Sequence, residues 1–415
     1  MKNFGKNRVK ILENILHKFF SKDIAKEFIS KIFITKTSNE KNTNLNFDDN
    51  NQVNIEINNY LKITSQIDLI ITFAEINLTP NKFLELLLQL GNFSKTTSEF
   101  SSAVYIYEKI FSITKSNNNL YKIKAESLLA LGEIFSKQAL WEISLNYIKE
   151  AHSLYKNFNN VKGLANCENL LGTIYGENGN LDKSKVHFEK ASVLLNKTSD
   201  KSLKGKIEIN LGIINTIQNN YEFALKNYKN ALRYFGPKKD EKRISEIRHN
   251  IGMLYTKTQK YNLALREFNN SIKLSIKNGD LTTLGFSYLS KAYIYVQQKN
   301  YKLSEAFSNK ALEVCNKIND RLSIADIYKL KGIIYREKKA FTLAENYLHT
   351  SLRINKELKN EMNKAETEFE LGVLYNRMNR KSESKNSFLS ALKYYSNIGA
   401  QHEAKKINDY LIDFN

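Results

Sequence analysis

Residues 241–280 read EKRISEIRHNIGMLYTKTQKYNLALREFNNSIKLSIKNGD. Within them Gly252 is followed by Tyr255 three places on, Ala264 at twelve, Phe268 at sixteen and Ser271 at nineteen. Steps of forty from Gly252, in both directions and without slippage, reach Gly132, Gly172, Gly212, Ala292, Gly332 and Gly372, all small residues. Three places after these marks stand Phe135, Tyr175, Asn215, Tyr255, Tyr295, Tyr335 and Tyr375. A fixed period of this length signals a repeat array, whose units bury their apolar faces only by stacking on their neighbours.

The columns of the array define the unit. Twelve places after the mark come Ser144, Ser184, Ala224, Ala264, Ser304, Ala344 and Ser384, and nineteen after it Ala151, Ala191, Ala231, Ser271, Ala311, Ser351 and Ala391. Sixteen places after it come Ile148, Phe188, Tyr228, Phe268, Ser308, Leu348 and Phe388, mostly large. Large side chains that fill gaps left by small ones let two helices approach closely, so each unit reads as an antiparallel helical hairpin. Twelve places before the mark, Asn160, Asp200, Asp240, Asp280, Asp320 and Asn360 occupy successive junctions, where a short polar side chain caps the next helix. Polar turns such as Asn178-Gly179-Asn180 and Gln218-Asn219-Asn220 close the hairpins. Gly252→Leu is expected to overpack the paired helices, and the same change at Asn269, read as solvated, to cost little.

Composition agrees. Two Pro and 16 Gly in 415 residues argue against a turn-rich β fold, and 42% apolar with 26% charged residues argues against disorder. Cys167 and Cys315 are too far apart in sequence to suggest a zinc knot or disulfide framework. No phosphate-cradling glycine loop, H-E-x-x-H or C-x-x-C is present, and the six His stand apart, so neither an enzyme nor a metal or other cofactor is expected. His152 reads as a partly buried packing residue, His187 and His349 as solvated ones, and both cysteines as core. The first twenty residues lack a clean signal-peptide core. Leu69–Ile76 is far short of the ~18 apolar residues of a membrane helix. A cytoplasmic location without a transmembrane segment is expected.

The order Leu-Gly-x-x-Tyr, then a small residue, an aromatic and Ala resembles the tetratricopeptide repeat in its longer, forty-residue form, found in kinesin light chains, G-protein-regulating adaptors and bacterial peptide-sensing regulators. The resemblance implies an all-α, right-handed superhelical solenoid of antiparallel hairpins. Seven clear repeats cover 121–395. A degenerate repeat, with Leu90-Gly91, Ala103 and Tyr107, and a preceding helix occupy 60–120, and a capping helix 396–415. Upstream, 1–35 reads as two amphipathic helices broken near Ser21, and the Asn-rich 36–59 as a linker or loop. Two departures stand out. The helix-ending proline survives only as Pro237, and the large early aromatic of the first helix is replaced by Glu168, Glu208, Arg248 and Glu368.

In such a solenoid the first helices line one concave wall, and groove-facing residues recur at marks −6, −3, −2, +1, +4 and +5. Asn210 and Asn250 stand at −2 in successive repeats; in peptide-binding members of the family an Asn at this place hydrogen-bonds the backbone of an extended peptide. Lys206, His249, Lys257, Lys329 and Arg336 share the stripe as cationic donors, and Ile213 and Met253 give it an apolar floor. The net charge is +20, and residues 201–280 carry 16 basic against 7 acidic residues, 281–360 14 against 7. That excess suggests an acidic partner. The expected function is a non-catalytic adaptor or scaffold that holds a partner protein or peptide in the concave groove. The alternatives are a structural subunit of a large motility, envelope or cytoskeletal assembly, and a peptide-responsive regulator with nucleic-acid contact. Lys6–Ile34 lacks the glycine turn and base-reading stripe of a DNA-reading head, which disfavours the last.

Overall fold

The computed structural model describes residues 10–33, 67–97, 99–115, 117–138, 140–196, 199–236, 240–397 and 400–412. Every regular element among them is helical: α1 (10–16), α2 (Lys22–Phe33), α3 (67–77), α4 (Pro80–Thr96), α5 (Phe100–Thr114), α6 (Tyr121–Lys137), α7 (Trp141–Asn157), α8 (Val161–Glu177), α9 (Leu181–Leu195), α10 (Lys201–Ile217), α11 (Tyr221–Phe235), α12 (Glu241–Lys257), α13 (Tyr261–Asn278), α14 (Leu281–Gln297), α15 (Tyr301–Lys317), α16 (Arg321–Glu337), α17 (Phe341–Glu357), α18 (Glu361–Arg377), α19 (Lys381–Asn397) and α20 (Gln401–Ile412). They form two compact units, Met1–Asp200 and Lys201–Asn415. The first contains the hairpins α4/α5, α6/α7 and α8/α9. The second contains α10/α11, α12/α13, α14/α15, α16/α17 and α18/α19, closed by α20. The first helix of each hairpin is designated A, the second B.

The small mark is where A and B come closest. A Cβ added at Gly212, Gly252 or Gly172 would stand 2.5, 2.6 or 2.7 Å from the ring of Tyr228, Phe268 or Phe188, each sixteen residues on. Only glycine fits opposite such a ring. Where the mark is Ala292, the residue sixteen on is the small Ser308. Ser144, Ser184, Ser304 and Ser384 also tie B to A, each Oγ donating to the carbonyl of its mark at 2.6–2.8 Å. Where that serine is Ala224 or Ala264, Thr216 or Thr256 donates to the same carbonyl from within helix A.

The junction side chains Asn160, Asp240, Asp280, Asp320 and Asn360 each accept the backbone N–H three residues on, capping α8, α12, α14, α16 and α18. Asp200 pairs with Lys162 at 2.9 Å. Seven residues after the mark the chain turns left-handed, at Gly179, Asn219, Gln259, Lys299, Lys339 and Asn379. Gly and Asn tolerate this conformation; Gln and Lys hold it only because the flanking helices fix it.

Leu12, Ile15 and Leu16 of α1 and Ala25 of α2 share one core with Ile67, Ile70 and Ile71 of α3 and Phe83, Leu84 and Leu87 of α4. The apolar side of the N-terminal helices is thus buried on the first hairpin, with Phe20, Phe28 and Phe73 ring to ring at 5.3–6.3 Å. The Asn-rich 36–59 and Pro237 lie outside the described residues.

Where the large aromatic of helix A is missing, the residue nineteen places on changes as well. Glu168, 8% exposed, bonds His187 Nδ1 at 2.7 Å and His152 Nε2 at 3.2 Å. Glu208 accepts from Asn227 Nδ2 at 2.7 Å, and Arg248 Nη1 donates to Glu267 at 2.9 Å. Where aromatics remain, Tyr288 meets Phe307 and Tyr328 meets Tyr347, with centroids 6.1 and 5.9 Å apart. Glu368 takes its hydrogen bond from Ser390 instead.

Two expectations are corrected here. His187, read as solvated, bonds Glu168 and stacks on Tyr175 at 5.2 Å. His349 is exposed, as read, and bonds the Tyr375 hydroxyl at 2.9 Å. Asn269 accepts from the buried Lys291 ammonium at 2.6 Å, so it is no neutral control site. Cys167 and Cys315 are both buried, and burial pushes their thiols up to about 12 and about 11.

Candidate functional site

Adjacent A helices touch within each unit, α10 with α12, then α14, α16 and α18 in the second. The bonds between them join residues about one repeat apart. His249 Nδ1 lies 3.1 Å from Ser287 Oγ, and Ser290 Oγ donates to Met253 Sδ at 3.3 Å. Lys329 donates to Glu366, Arg336 Nη1 to Glu370 at 2.5 Å, and Arg377 Nη1 to Glu337 at 3.0 Å. Equal sequence offsets therefore become neighbouring positions on one A-helix face of this unit.

On α10, Lys206 is exposed, Asn210 and Ile213 are half-buried, and both Lys206 and Asn210 have interaction partners within the chain. On α12, His249 and Asn250 are half-buried, and Met253 and Lys257 are exposed. Among the described residues the Asn250 amide makes no hydrogen bond, which leaves its acceptor and two donors for another molecule. Met253 and Phe286, each 38% exposed, and Ile217, 52% exposed, supply apolar surface beside it.

The cations behave differently from the expectation. His249 sits against the rings of Phe268 and Phe286, and burial pushes its imidazole down to about 4, so it is neutral at pH 7 and offers no positive charge. Lys329 and Arg336 are buried and already paired, Lys329 with Asp326 and Glu366, Arg336 with Glu337 and Glu370. Burial alone would pull the Lys329 ammonium down; Tyr293, Asp326 and Glu366 outweigh it and hold the group well above its ordinary range. Asp326 moves up because burial outweighs the pull of Lys329. Burial likewise works against Glu337, but Arg377 and Arg336 prevail and lower it. In this network Lys329 and Arg336 are 8% exposed, Asp326 and Glu366 31% and 35%, and Arg377, paired with Glu337, 44%. The α16–α18 end of the face thus presents both signs of charge, and the expected cationic hooks Lys329 and Arg336 are spent on carboxylates. A one-column reading missed Phe286, Glu366 and Glu370, although all three stand at groove offsets −6 and −2.

The basic excess lies elsewhere. Lys226, Lys229 and Arg233 of α11 and Arg266 and Lys273 of α13 are exposed on B helices. The three on α11 line an open cleft of about 330 Å³ with Glu222, Leu225 and Asn230. Among the described residues no group of His, Cys, Asp and Glu is arranged to hold a metal ion, and no helix is long and apolar enough to cross a membrane.

A tetratricopeptide-repeat family model matches residues 283–357, which span α14 to α17. The apo quorum sensor NprR from B. thuringiensis superposes with a TM-score of 0.59 at 15% identity, covering 83% of this chain and 99% of that one. Residues 283–357 are thus tetratricopeptide repeats. Apo RapI is similar in fold over 84% of this chain and 97% of its own, with a TM-score of 0.57 at 15% identity. A Rap protein complexed with Competence and Sporulation Factor matches 80% of this chain and 98% of its own, with a TM-score of 0.57 at 11% identity. In sequence, the transcriptional activator NprA of Geobacillus stearothermophilus is 26% identical over 147 residues, 35% of this chain and 36% of that relative, so about a third of the relative's length is matched.

Proposed function

We propose that the chain is a non-catalytic, cytoplasmic adaptor that holds a segment of a partner protein or peptide on the A-helix face of the Lys201–Asn415 unit. The observation that carries this reading is the unpartnered Asn250 amide beside the exposed apolar surface of Met253 and Phe286, on a face whose A helices are joined repeat to repeat. Peptide sites combine an apolar lining with a few placed hydrogen-bonding groups. A fold relative solved with Competence and Sporulation Factor supports the same use of this architecture. The partly exposed Asp326 and Glu366 and the exposed Lys206, Lys257 and Arg377 give the face both signs of charge, which favours a partner of mixed charge over a uniformly acidic one.

Asn210→Ala combined with Asn250→Ala is expected to weaken capture of the native partner about tenfold or more, or ~1.4 kcal/mol. Helix propensity favours alanine over asparagine, so the melting temperature should not fall by more than a degree or so. The check is a pull-down titration from native lysate beside thermal unfolding. Unchanged affinity in the double variant removes this face from the account.

A further inference from the structure

A second, separate cleft lies on the A-helix side of the Met1–Asp200 unit. It has a volume of about 380 Å³ and runs across α4, α6 and α8. That volume is within the ~300–1,000 Å³ of small-molecule sites. Leu88 and Leu129 supply its apolar wall, and its polar groups fall into two classes.

The first class is already satisfied. Lys95 Nζ donates to Glu133 at 2.6 Å, Lys137 Nζ lies 3.4 Å from the other oxygen of that carboxylate, and Lys162 Nζ donates to Asp200 at 2.9 Å. The second class is not. Glu126 is half-buried and makes no hydrogen bond or ion pair among the described residues. Burial pushes its carboxyl above the ordinary range, against the pull of Lys122 and Lys162. Asn92 spends its Oδ1 on the Tyr107 hydroxyl at 2.9 Å, which leaves its amide hydrogens. Asn166 donates to the Lys162 carbonyl at 3.2 Å, which leaves its oxygen. Lys122 also lines the cleft, exposed and without a hydrogen bond or ion pair among the described residues, so the cleft offers a half-buried carboxylate, an amide donor and an amide acceptor beside an apolar wall, with one lysine at its rim. A desolvated, unpaired carboxylate costs free energy in the empty protein and returns it when a cation arrives.

We propose that this cleft is a binding site for a primary ammonium carried on a small amide-bearing or aliphatic ligand, with Glu126 as the anionic receptor and Asn92 and Asn166 as hydrogen-bonding partners. The ammonium is either the free amino end of a short peptide or that of an alkyl amine. This site is independent of the face proposed for the partner segment.

The experiment is isothermal titration of the full chain with tri-alanine, N-acetyl-tri-alanine and putrescine to millimolar concentration. Tri-alanine or putrescine is expected to bind and the acetylated peptide not to. Tri-alanine alone identifies the peptide terminus as the source, putrescine alone the alkyl amine, and both together the bare ammonium. Glu126→Gln is expected to weaken binding tenfold or more while leaving the ligand-free melting temperature unchanged or higher, since it removes an unpaired charge. A merely structural carboxylate would lower that temperature on removal. Affinity should fall as pH drops through the raised Glu126 range, because only the ionised carboxyl attracts the cation. Asn210→Ala/Asn250→Ala should retain binding, which separates this site from the other face. Binding by neither amine, equal binding of the acetylated peptide, or full binding by Glu126→Gln overturns the proposal.

Discussion

Arg248→Met is expected to destabilise the chain by about 2–3 kcal/mol, whereas exchanging both members of the pair, Arg248→Tyr with Glu267→Phe, should avoid most of that loss. Glu267 is 5% exposed and its near partner is Arg248 at 2.9 Å; Arg266 stands 3.8 Å away and is itself mostly in water. Removing one member of a buried ion pair costs about 3–5 kcal/mol, because the other is left charged and desolvated. The Arg248 side chain is 35% exposed, so water and Arg266 relieve part of the penalty, which sets the lower figure. The double exchange reproduces what the array already contains one repeat on, where Tyr288 packs against Phe307. Buried ion pairs replaced by well-packed apolar groups are often neutral or stabilising, so the aromatic pair should come within ~1 kcal/mol of the original. Thermal unfolding reads both, at roughly 2–4 °C per kcal/mol for a unit of this size. A wild-type melting temperature for Arg248→Met, or an equal loss in the aromatic pair, contradicts the equivalence of these positions.

Gly252→Leu is expected to cost about 2 kcal/mol or more. Even a bare Cβ would stand 2.6, 2.7 and 3.0 Å from three carbons of the Phe268 ring, which is wholly buried and has no free space to swing into. Overpacking costs about 1–3 kcal/mol and occasionally more. Against it stands a helix-propensity gain of at most ~1 kcal/mol for leaving glycine. The steric loss therefore wins. Asn270→Leu, on an exposed site of the B helix, is the control and should shift the melting temperature little. A double-mutant cycle sharpens the test. Gly252→Ala with Phe268→Ser recreates the Ala292/Ser308 pairing, so the two changes together should cost less than their sum by about 1 kcal/mol. Strict additivity would mean that the mark and the sixteenth residue do not face each other.

These two sites also show how much the sequence discloses. The glycine marks, small serines and alanines, large partners and capping Asp and Asn are each dictated by a contact inside one hairpin, so a single column suffices to read them. The Glu168, Glu208 and Arg248 substitutions read as departures from the repeat because each was viewed without its partner. Beside His187, Asn227 and Glu267 they are exchanges of one paired chemistry for another at a fixed separation of nineteen. The candidate site was less legible. Whether Lys329 or Arg336 is a free cation depends on Glu366 and Glu370 in the next A helix. Those acids stand at −6 and −2, the columns of Lys206 and of Asn210 and Asn250, and their facing is a property of stacked helices rather than of one helix. The loss of charge at His249 likewise comes from the Phe268 and Phe286 rings that surround it.

A partner segment is proposed to lie along the A-helix face of the second unit. A photo-reactive benzoylphenylalanine placed singly at 250 on α12, or at 270 on the neighbouring B helix α13, tests it in native lysate. Cross-linking to the partner from position 250 and not from 270 is the predicted result. Efficient cross-linking from 270 with none from 250 would put the partner on the opposite side of the hairpins and contradict the claim.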